Sequence, residues 1–211
     1  MPTRVKICGI TRLEDAMLAC ELGAAALGFN FYPKSPRYIA PRVAAEIIRC
    51  LPPFVTAVGI FADEPEAERV AAVAREAGVG AIQLTGPRFP AGEEHLASYS
   101  MIRSVSVGDS LRPEHLAKLQ AKAFLLDAYD PKLAGGTGKT FDWNLAREAK
   151  QYGRIILAGG LTPENVGDAI RRVRPYAVDV ASGVESAPGV KDAAKLRAFV
   201  TAVEEADRTI G

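Results

Sequence analysis

RIILAGGLTPENVGDAIRRVRPYAVDVASGVES, residues 154–186, carries the pattern that decides the fold. An apolar run ends in two glycines, a helical pattern follows, and a second apolar run ends in Ala-Ser-Gly. This order predicts a strand, a crossover helix and a second strand that lies parallel to the first.

The same alternation runs along the whole chain of 211 residues. Apolar runs such as RVKICGI (4–10) and KAFLLDA (122–128) alternate with helical patterns, and together they give eight strands and about eight helices. An α/β chain of eight such units predicts one closed (β/α)8 TIM barrel, with residues 1–211 as a single domain. A doubly wound open sheet is the main alternative, but it usually carries a glycine-rich fingerprint after the first strand, where this chain has CGIT.

Composition excludes several classes of protein. Lys and Arg number 26 against 25 Asp and Glu, so the charge balance gives no sign of a nucleic-acid partner. No apolar run approaches the roughly 18 residues of a membrane span, and the first residues lack a signal-peptide layout. Three cysteines without CxxC spacing favour a reducing compartment over disulfides or a zinc site. We therefore expect a cytoplasmic protein with no membrane partner and no bound metal.

The first strand ends at Cys8, and active sites of barrels lie at the carboxyl ends of the strands. Because side chains alternate along a strand, Lys6 and Cys8 face the barrel axis if Val5 and Ile7 face the helices. The position of Cys8 is compatible with a catalytic thiol and with a small core residue. Cys20 and Cys50 fall on predicted helices and are interpreted as packing residues.

The sixth strand ends at Asp127, directly after Phe124, Leu125 and Leu126. An unpaired charge is costly to bury, so a carboxylate fits this position poorly as a core residue. It is either a general acid or base at the barrel mouth or a cap for the loop that follows.

Glycines at the ends of the last two strands predict a phosphate site. Gly159 and Gly160 follow the seventh strand, and Ser182 and Gly183 follow the eighth. Barrels often hold phosphate between these two loops and a short extra helix, for which SGVES is the candidate. The glycine-rich loop within 129–143 lacks the spacing of a nucleotide-binding P-loop and is a weaker signal.

Two further charged groups are candidates. Arg37 lies on the long loop after the second strand, where it is either solvated or binds an acidic group of the substrate in a fork geometry. Asp179, on the eighth strand, faces inward beside the first strand. We expect it to pair with Lys6, because burying either charge inside the barrel without a partner would cost too much free energy.

Several motifs together resemble the phosphoribosylanthranilate isomerases of tryptophan biosynthesis. They are KICGIT (6–11), SPRYI (35–39), LLD (125–127), GGTGKTFDW (135–143), LAGGLTPENV (157–166) and DVASGVES (179–186). The resemblance runs along nearly the whole chain. It implies a cofactor-free barrel, monomeric or homodimeric, that converts N-(5-phosphoribosyl)anthranilate to 1-(2-carboxyphenylamino)-1-deoxyribulose 5-phosphate by an Amadori rearrangement.

The resemblance also implies roles for three residues. Cys8 matches the general base of the family, Asp127 its general acid, and Arg37 the residue that meets the anthranilate carboxylate. A base must lose its proton, so we expect Cys8 to titrate in the working pH range and to react with iodoacetamide before Cys20 and Cys50.

One departure and two alternatives accompany this interpretation. Thr85 stands where the family commonly has histidine. The related sugar-phosphate isomerase of histidine biosynthesis resembles a pattern with aspartate at the first strand end, which Cys8 disfavours. A non-catalytic phosphate-binding barrel is disfavoured by Cys8 and Asp127 together.

Overall fold

Eight parallel strands close into a barrel in the computed structural model, which describes residues 1–86, 90–106, 113–119, 121–127 and 143–210. Each strand pairs with the next one in the chain, and the first pairs with the last. The strands are β1 (Arg4–Cys8), β2 (Ala26–Asn30), β3 (Thr56–Ala62), β4 (Ala81–Thr85), β5 (Ser100–Ser106), β6 (Ala123–Asp127), β7 (Arg154–Ala158) and β8 (Ala177–Val180). The predicted (β/α)8 barrel is confirmed.

Helices connect the strands on the outside. In the described residues the α-helices are α1 (Leu13–Glu21), α2 (Pro41–Ile48), α3 (Ala67–Ala77), α4 (Trp143–Ala149), α5 (Val166–Val173) and α6 (Ala193–Ile210). None of the described helices is both long and apolar enough to cross a membrane.

The described parts of the connections on either side of β5 contain 3₁₀-helices instead, at Glu93–Leu96 and Pro113–Lys118. The predicted alternation of strands and helices therefore holds here, and the helices at these two places are of the 3₁₀ type. The two segments span four and six residues, and 3₁₀ runs stay short because side chains three positions apart eclipse one another.

After β8 the chain forms a 3₁₀-helix, Ser182–Val184, and a short antiparallel hairpin of β9 (Glu185–Ala187) and β10 (Val190–Lys191). The 3₁₀-helix occupies the place predicted for a short extra helix. The hairpin was not predicted, because strands of three and two residues leave no periodic pattern.

Alternation along the strands divides the core into two parts. Outward-facing residues such as Ile7, Leu126 and Val178 are fully buried beneath the helices. Inward-facing residues fill the barrel; the apolar ones are Val58, Ala81, Ile102, Ala123, Leu125, Ile156, Ala158 and Ala177. The barrel is thus a packed core whose upper end forms the rim where the strands terminate.

Lys6 and Asp179 form an ion pair inside the barrel. They are register partners on β1 and β8, both are buried, and Lys6 Nζ lies 2.8 Å from Asp179 Oδ1. Burial acts to lower the pKa of Lys6, but the Asp179 carboxylate outweighs it and the pKa is raised. The predicted pairing is confirmed, and the ammonium remains charged.

Removing one partner of this pair should be costly. Asp179→Leu leaves the Lys6 ammonium buried alone, so we expect the free energy of unfolding to fall by about 3–5 kcal/mol. Lys6→Met/Asp179→Leu should recover most of that loss, because an apolar pair needs no desolvation. Urea unfolding at pH 7 measures both variants. A double variant as unstable as Asp179→Leu would contradict this account.

Candidate active site

Two of the predicted site residues terminate strands at the same rim of the barrel. Cys8 is the last residue of β1 and Asp127 the last residue of β6, and both are half-buried. Because all eight strands are parallel, their carboxyl ends surround one opening. The structure therefore brings a thiol and a carboxylate to the mouth of the barrel.

Space for the Cys8 thiol comes from a glycine on the neighbouring strand. Gly28 is the register partner of Cys8, and a Cβ on it would lie 3.1 Å from Cys8 Sγ and 2.9 Å from Ile60 Cδ1. Any residue larger than glycine at position 28 would displace the Cys8 sulfur or the Ile60 methyl group. The glycine thus lets the sulfur occupy the interior of the barrel end.

Burial is the largest influence on Cys8 and raises the pKa of its thiol. The Asp179 carboxylate raises this pKa further, whereas the positive charges of Lys6 and Lys191 lower it without reversing the shift. The thiol is therefore protonated at neutral pH when the site is empty. This disagrees with the expectation that Cys8 titrates in the working range, because the depth of the thiol is not visible in the sequence.

Arg37 is held by a carboxylate that the sequence did not single out. Its Nε donates to Glu185 Oε1 at 2.9 Å and to Oε2 at 3.2 Å, and its Nη2 donates to Oε2 at 2.7 Å. The hydrogen bonds to Glu185 raise the pKa of Arg37 above its ordinary value. Glu185 lies within the quoted motif DVASGVES, but 148 residues separate it from Arg37, so their pairing had no local signal.

Lys191 is the second residue that sequence reasoning missed. Its side chain is 0% exposed, and its Nζ donates to Glu185 Oε1 at 2.8 Å and to the carbonyl oxygen of Cys8 at 2.6 Å. A weaker contact of 3.4 Å reaches the carbonyl of Ala181. Burial lowers the pKa of Lys191, and the Glu185 carboxylate opposes that shift. The side chain ties the ends of β1 and β8 together.

The four predicted phosphate residues lie in two segments that follow β7 and β8 and contact each other at the rim. Gly159 and Gly160 adopt left-handed backbone angles, with φ of 85° and 63°. A Cβ on Gly183 would lie only 1.9 Å from the carbonyl oxygen of Leu161, so the loop after β7 and the 3₁₀-helix beginning at Ser182 touch at backbone level. Only glycine permits that approach.

The side chain of Asn165 fixes the loop after β7. Its Oδ1 accepts the backbone N–H of Thr162 at 2.8 Å, and its Nδ2 donates to the carbonyl of Gly160 at 2.9 Å. This explains the asparagine of LTPEN and holds the glycine backbone in place.

Three remaining sequence candidates lie among the described residues, and one candidate loop lies mostly outside them. Thr85 Oγ1 lies 3.4 Å from Gln83 Nε2, beside the end of β4. Cys20 packs against the core from α1, whereas Cys50 lies just beyond α2 and is exposed, so its predicted packing role is wrong. Most of the glycine-rich loop, 128–142, lies outside the described residues.

Among the described residues, no group of three His, Cys, Asp or Glu side chains stands close enough to hold a metal ion. The groups at the rim are a thiol, a carboxylate, a guanidinium and glycine backbone suited to an anion. Such a set can transfer protons on a substrate that carries a phosphate and a second acidic group.

Comparison with known proteins agrees with this arrangement. The family model of N-(5'phosphoribosyl)anthranilate (PRA) isomerase matches residues 5–202. A curated N-(5'-phosphoribosyl)anthranilate isomerase from Trichlorobacter lovleyi is 52% identical over 208 residues, which are 96% of this chain and 98% of the relative.

Two solved structures are similar along almost their whole length. A phosphoribosyl anthranilate isomerase in complex with reduced 1-(o-carboxyphenylamino)-1-deoxyribulose 5-phosphate is 41% identical, with a TM-score of 0.84 and coverage of 96% of this chain and 99% of that one. Monomers generated from the dimeric enzyme of Thermotoga maritima are 40% identical, with a TM-score of 0.83 and the same coverage.

These matches favour the main interpretation over the isomerase of histidine biosynthesis and over a barrel without activity. The fold, the residues at the strand ends and the relatives of about 50% sequence identity all agree. The chain therefore belongs to the N-(5'-phosphoribosyl)anthranilate isomerase family.

Proposed function

We propose that Cys8 and Asp127 are the general base and the general acid of the isomerisation that this family carries out. The reaction converts N-(5-phosphoribosyl)anthranilate to 1-(2-carboxyphenylamino)-1-deoxyribulose 5-phosphate in tryptophan biosynthesis. The observation that supports these roles most directly is the placement of the two groups at the ends of β1 and β6, around one barrel mouth. Within the proposal, residues 1–211 act as one domain.

The first step opens the sugar ring. Asp127 gives its proton to the ring oxygen, the bond from that oxygen to C1′ breaks, and the anthranilate nitrogen supplies the electrons of a C1′=N double bond. The product is a cationic Schiff base. General acid catalysis is needed because the ring oxygen leaves poorly as an alkoxide.

The second step moves a proton from carbon to sulfur. Cys8 as thiolate takes the C2′ proton, the electrons of that bond form C1′=C2′, and the positive charge on nitrogen is discharged. The resulting enolamine tautomerises to the ketone. Because electrons shift only within the substrate, the steps require no hydride donor and no external nucleophile.

The neutral thiol of the empty site fits this order of events. A nearby positive charge lowers the pKa of an acidic group. Formation of the Schiff base places a cation beside Cys8, so the thiol releases its proton to solvent and the thiolate is favoured at the stage that uses it. Lys6 and Lys191 already act in the same direction.

The two ends of the substrate have separate binding groups in this proposal. Arg37 meets the anthranilate carboxylate, and Gly159, Gly160, Ser182 and Gly183 hold the phosphate. Support for the first comes from the guanidinium at the rim, of which 23% of the side-chain surface is exposed. Support for the second comes from the backbone contact between the two glycine loops.

We also propose that the chain forms a homodimer through the amino-terminal end of the barrel. A cavity of about 390 Å³ there is lined by the first residue of every barrel strand. Phe54, in the turn between α2 and β3, borders this cavity and is 95% exposed. In a two-fold pair, the Phe54 ring of each copy can cover the cavity of the other. The relative from Thermotoga maritima is described as dimeric.

A cytoplasmic location completes the proposal. All three cysteines, Cys8, Cys20 and Cys50, are free thiols. Reducing compartments keep thiols in that state.

Asp127→Asn should reduce kcat by about 10²–10⁴-fold, because an amide is far too weak an acid to protonate the ring oxygen. Substrate affinity should change little, since the side chain keeps its shape. Fluorescence of phosphoribosylanthranilate follows its consumption, and circular dichroism checks the fold. A variant that keeps more than about a tenth of the rate would move the acid elsewhere, and Asp130, outside the described residues, would be tested next.

The alkylation of Cys8 should report the protonation of its thiol directly. The pKa of Cys8 is raised above its ordinary value of 9.0 and only the thiolate reacts, so the rate of its modification by iodoacetamide should rise with pH throughout the range from about 6.5 to 9. Mass spectrometry of the digested protein measures the rate at Cys8 and, as a control, at the exposed Cys50. A rate at Cys8 that levels off below about pH 8 would contradict the raised pKa.

Phe54→Lys should convert the dimer to a monomer, because its ammonium would be brought against the Arg4, Lys122 and Arg154 side chains that line the cavity, and like charges in an interface oppose association. Leu13→Lys, which places the same charge at the start of α1 near the opposite end of the barrel, should leave the dimer intact. Light scattering at about 10 µM measures the mass of each variant, a concentration at which a standard-sized interface is occupied. A monomeric wild-type chain would refute the homodimer.

A further inference from the structure

Glu185 grips one edge of the Arg37 guanidinium and leaves the rest of it available. Its two oxygens accept the Nε–H and one Nη2–H of Arg37, at 2.7–3.2 Å. A guanidinium has five N–H donors in a rigid plane. Three of them, one on Nη2 and two on Nη1, have no acceptor among the described residues. A second carboxylate can therefore bind the open edge in the same fork geometry.

The carboxylate of Glu185 has no capacity left for a substrate. Besides Arg37 it accepts Lys191 Nζ at 2.8 Å and the backbone N–H of Gly189 at 3.3 Å. Its side chain is only 5% exposed. Burial acts to raise the pKa of Glu185, but the hydrogen bonds from Arg37 and Lys191 outweigh it, so the group stays ionised. Any effect on the substrate must therefore pass through Arg37.

A backbone turn holds Arg37 from another side. Gly9 follows Cys8 with a φ of 76°, and a Cβ on it would lie 2.5 Å from Arg37 Cδ. The aliphatic stem of Arg37 thus lies directly on the turn at the end of β1. Glycine is required there both for the left-handed angle and for the close contact.

Glu185 itself is anchored to the strand that carries the proposed base. Lys191 donates to Glu185 and to the carbonyl oxygen of Cys8 with the same ammonium group. The backbone N–H of Lys191 donates to Asp15 Oδ2 at 3.0 Å, which fixes hairpin strand β10 against α1. The contacts form an unbroken chain from Arg37 through Glu185 and Lys191 to the end of β1.

We infer that Glu185 is the positioning residue for Arg37: it fixes the guanidinium at a set place relative to Cys8, so that the open edge meets the substrate carboxylate while C2′ lies within reach of the thiol. This inference rests on the proposed role of Arg37. A guanidinium fixed before the substrate arrives loses little side-chain freedom on binding, and the anchored end gives the reacting carbon its orientation.

Electrostatics and positioning predict opposite outcomes for Glu185→Gln. Removal of a negative charge beside Arg37 strengthens the local positive potential, which alone would tighten the binding of an anion. Loss of the bidentate grip frees the guanidinium, which weakens binding. The sign of the change therefore separates the two effects.

The experiment compares two ligands by calorimetry. One is reduced 1-(o-carboxyphenylamino)-1-deoxyribulose 5-phosphate, and the other is the same compound without the carboxylate. Arg37→Ala should weaken the first by about 10–100-fold, the value of a charge-assisted contact, and leave the second nearly unchanged. Glu185→Gln should weaken the first by about 5–10-fold and the second by less than about twofold. Glu205→Gln, the same change on the exposed face of α6, should affect neither.

Each result has a definite consequence. Tighter or unchanged binding of the carboxylated ligand to Glu185→Gln, or an equal loss for both ligands, overturns the positioning role while the role of Arg37 stands. An Arg37→Ala variant that does not distinguish the ligands overturns the proposed carboxylate site and the inference with it.

Glu185→Gln also removes the carboxylate that pairs with the buried Lys191 ammonium, so a second variant is needed to separate positioning from folding. Glu185→Asp keeps the charge for Lys191 but retracts it by one methylene, and it should show the same selective loss. If neither variant folds, Glu185 serves the fold rather than Arg37, and the inference is overturned.

Discussion

The buried ion pair between Lys6 and Asp179 is the constraint on which the site depends. Side chains alternate along a strand, so a residue and the one two positions before it point to the same face of the sheet. With Cys8 at the mouth, Lys6 must lie inside the barrel. Asp179, at the same level of the adjacent β8, makes that charge tolerable. The pairing of β1 with β8 thus closes the sheet and also places the Asp179 counter-charge beneath the Cys8 thiol.

The rim of the barrel also depends on close contacts at three glycines. Gly28 clears the space that the Cys8 sulfur occupies, Gly9 lets the stem of Arg37 cross the end of β1, and Gly183 lets the last two loops touch. Each glycine serves a different neighbour, and in each case a Cβ would meet an atom at 3.1 Å or less. These three glycines are therefore points of close contact between neighbouring segments.

Much of this architecture could be predicted from local patterns. The strand ends at Cys8 and Asp127 follow from apolar runs with clear termini, and the pairing of Lys6 with Asp179 follows from alternation plus closure of the barrel. The contacts of Glu185 and Lys191 could not be predicted in this way. They join positions 148 and 183 residues apart, and Glu185 and Lys191 lie on hairpin strands too short for a periodic pattern to fix which way a side chain points.

The protonation state of Cys8 could not be predicted either. The burial that causes it also gives a reason for a thiol, rather than a carboxylate, at this position. A carboxylate at the end of β1 would stand above Asp179, and two like charges in one buried end oppose each other's ionisation. A thiol avoids this conflict because burial raises its pKa and keeps it neutral. In the proposed mechanism it ionises only when a cation forms on the substrate. Lys191 contributes a further positive charge there, and its bond to the Cys8 carbonyl fixes that charge relative to β1. Cys8, the charges around it and Arg37 are in this way all fixed relative to the end of β1. Under the proposed roles, the place where the substrate's own charge appears then controls the proton transfer, without a permanently ionised base.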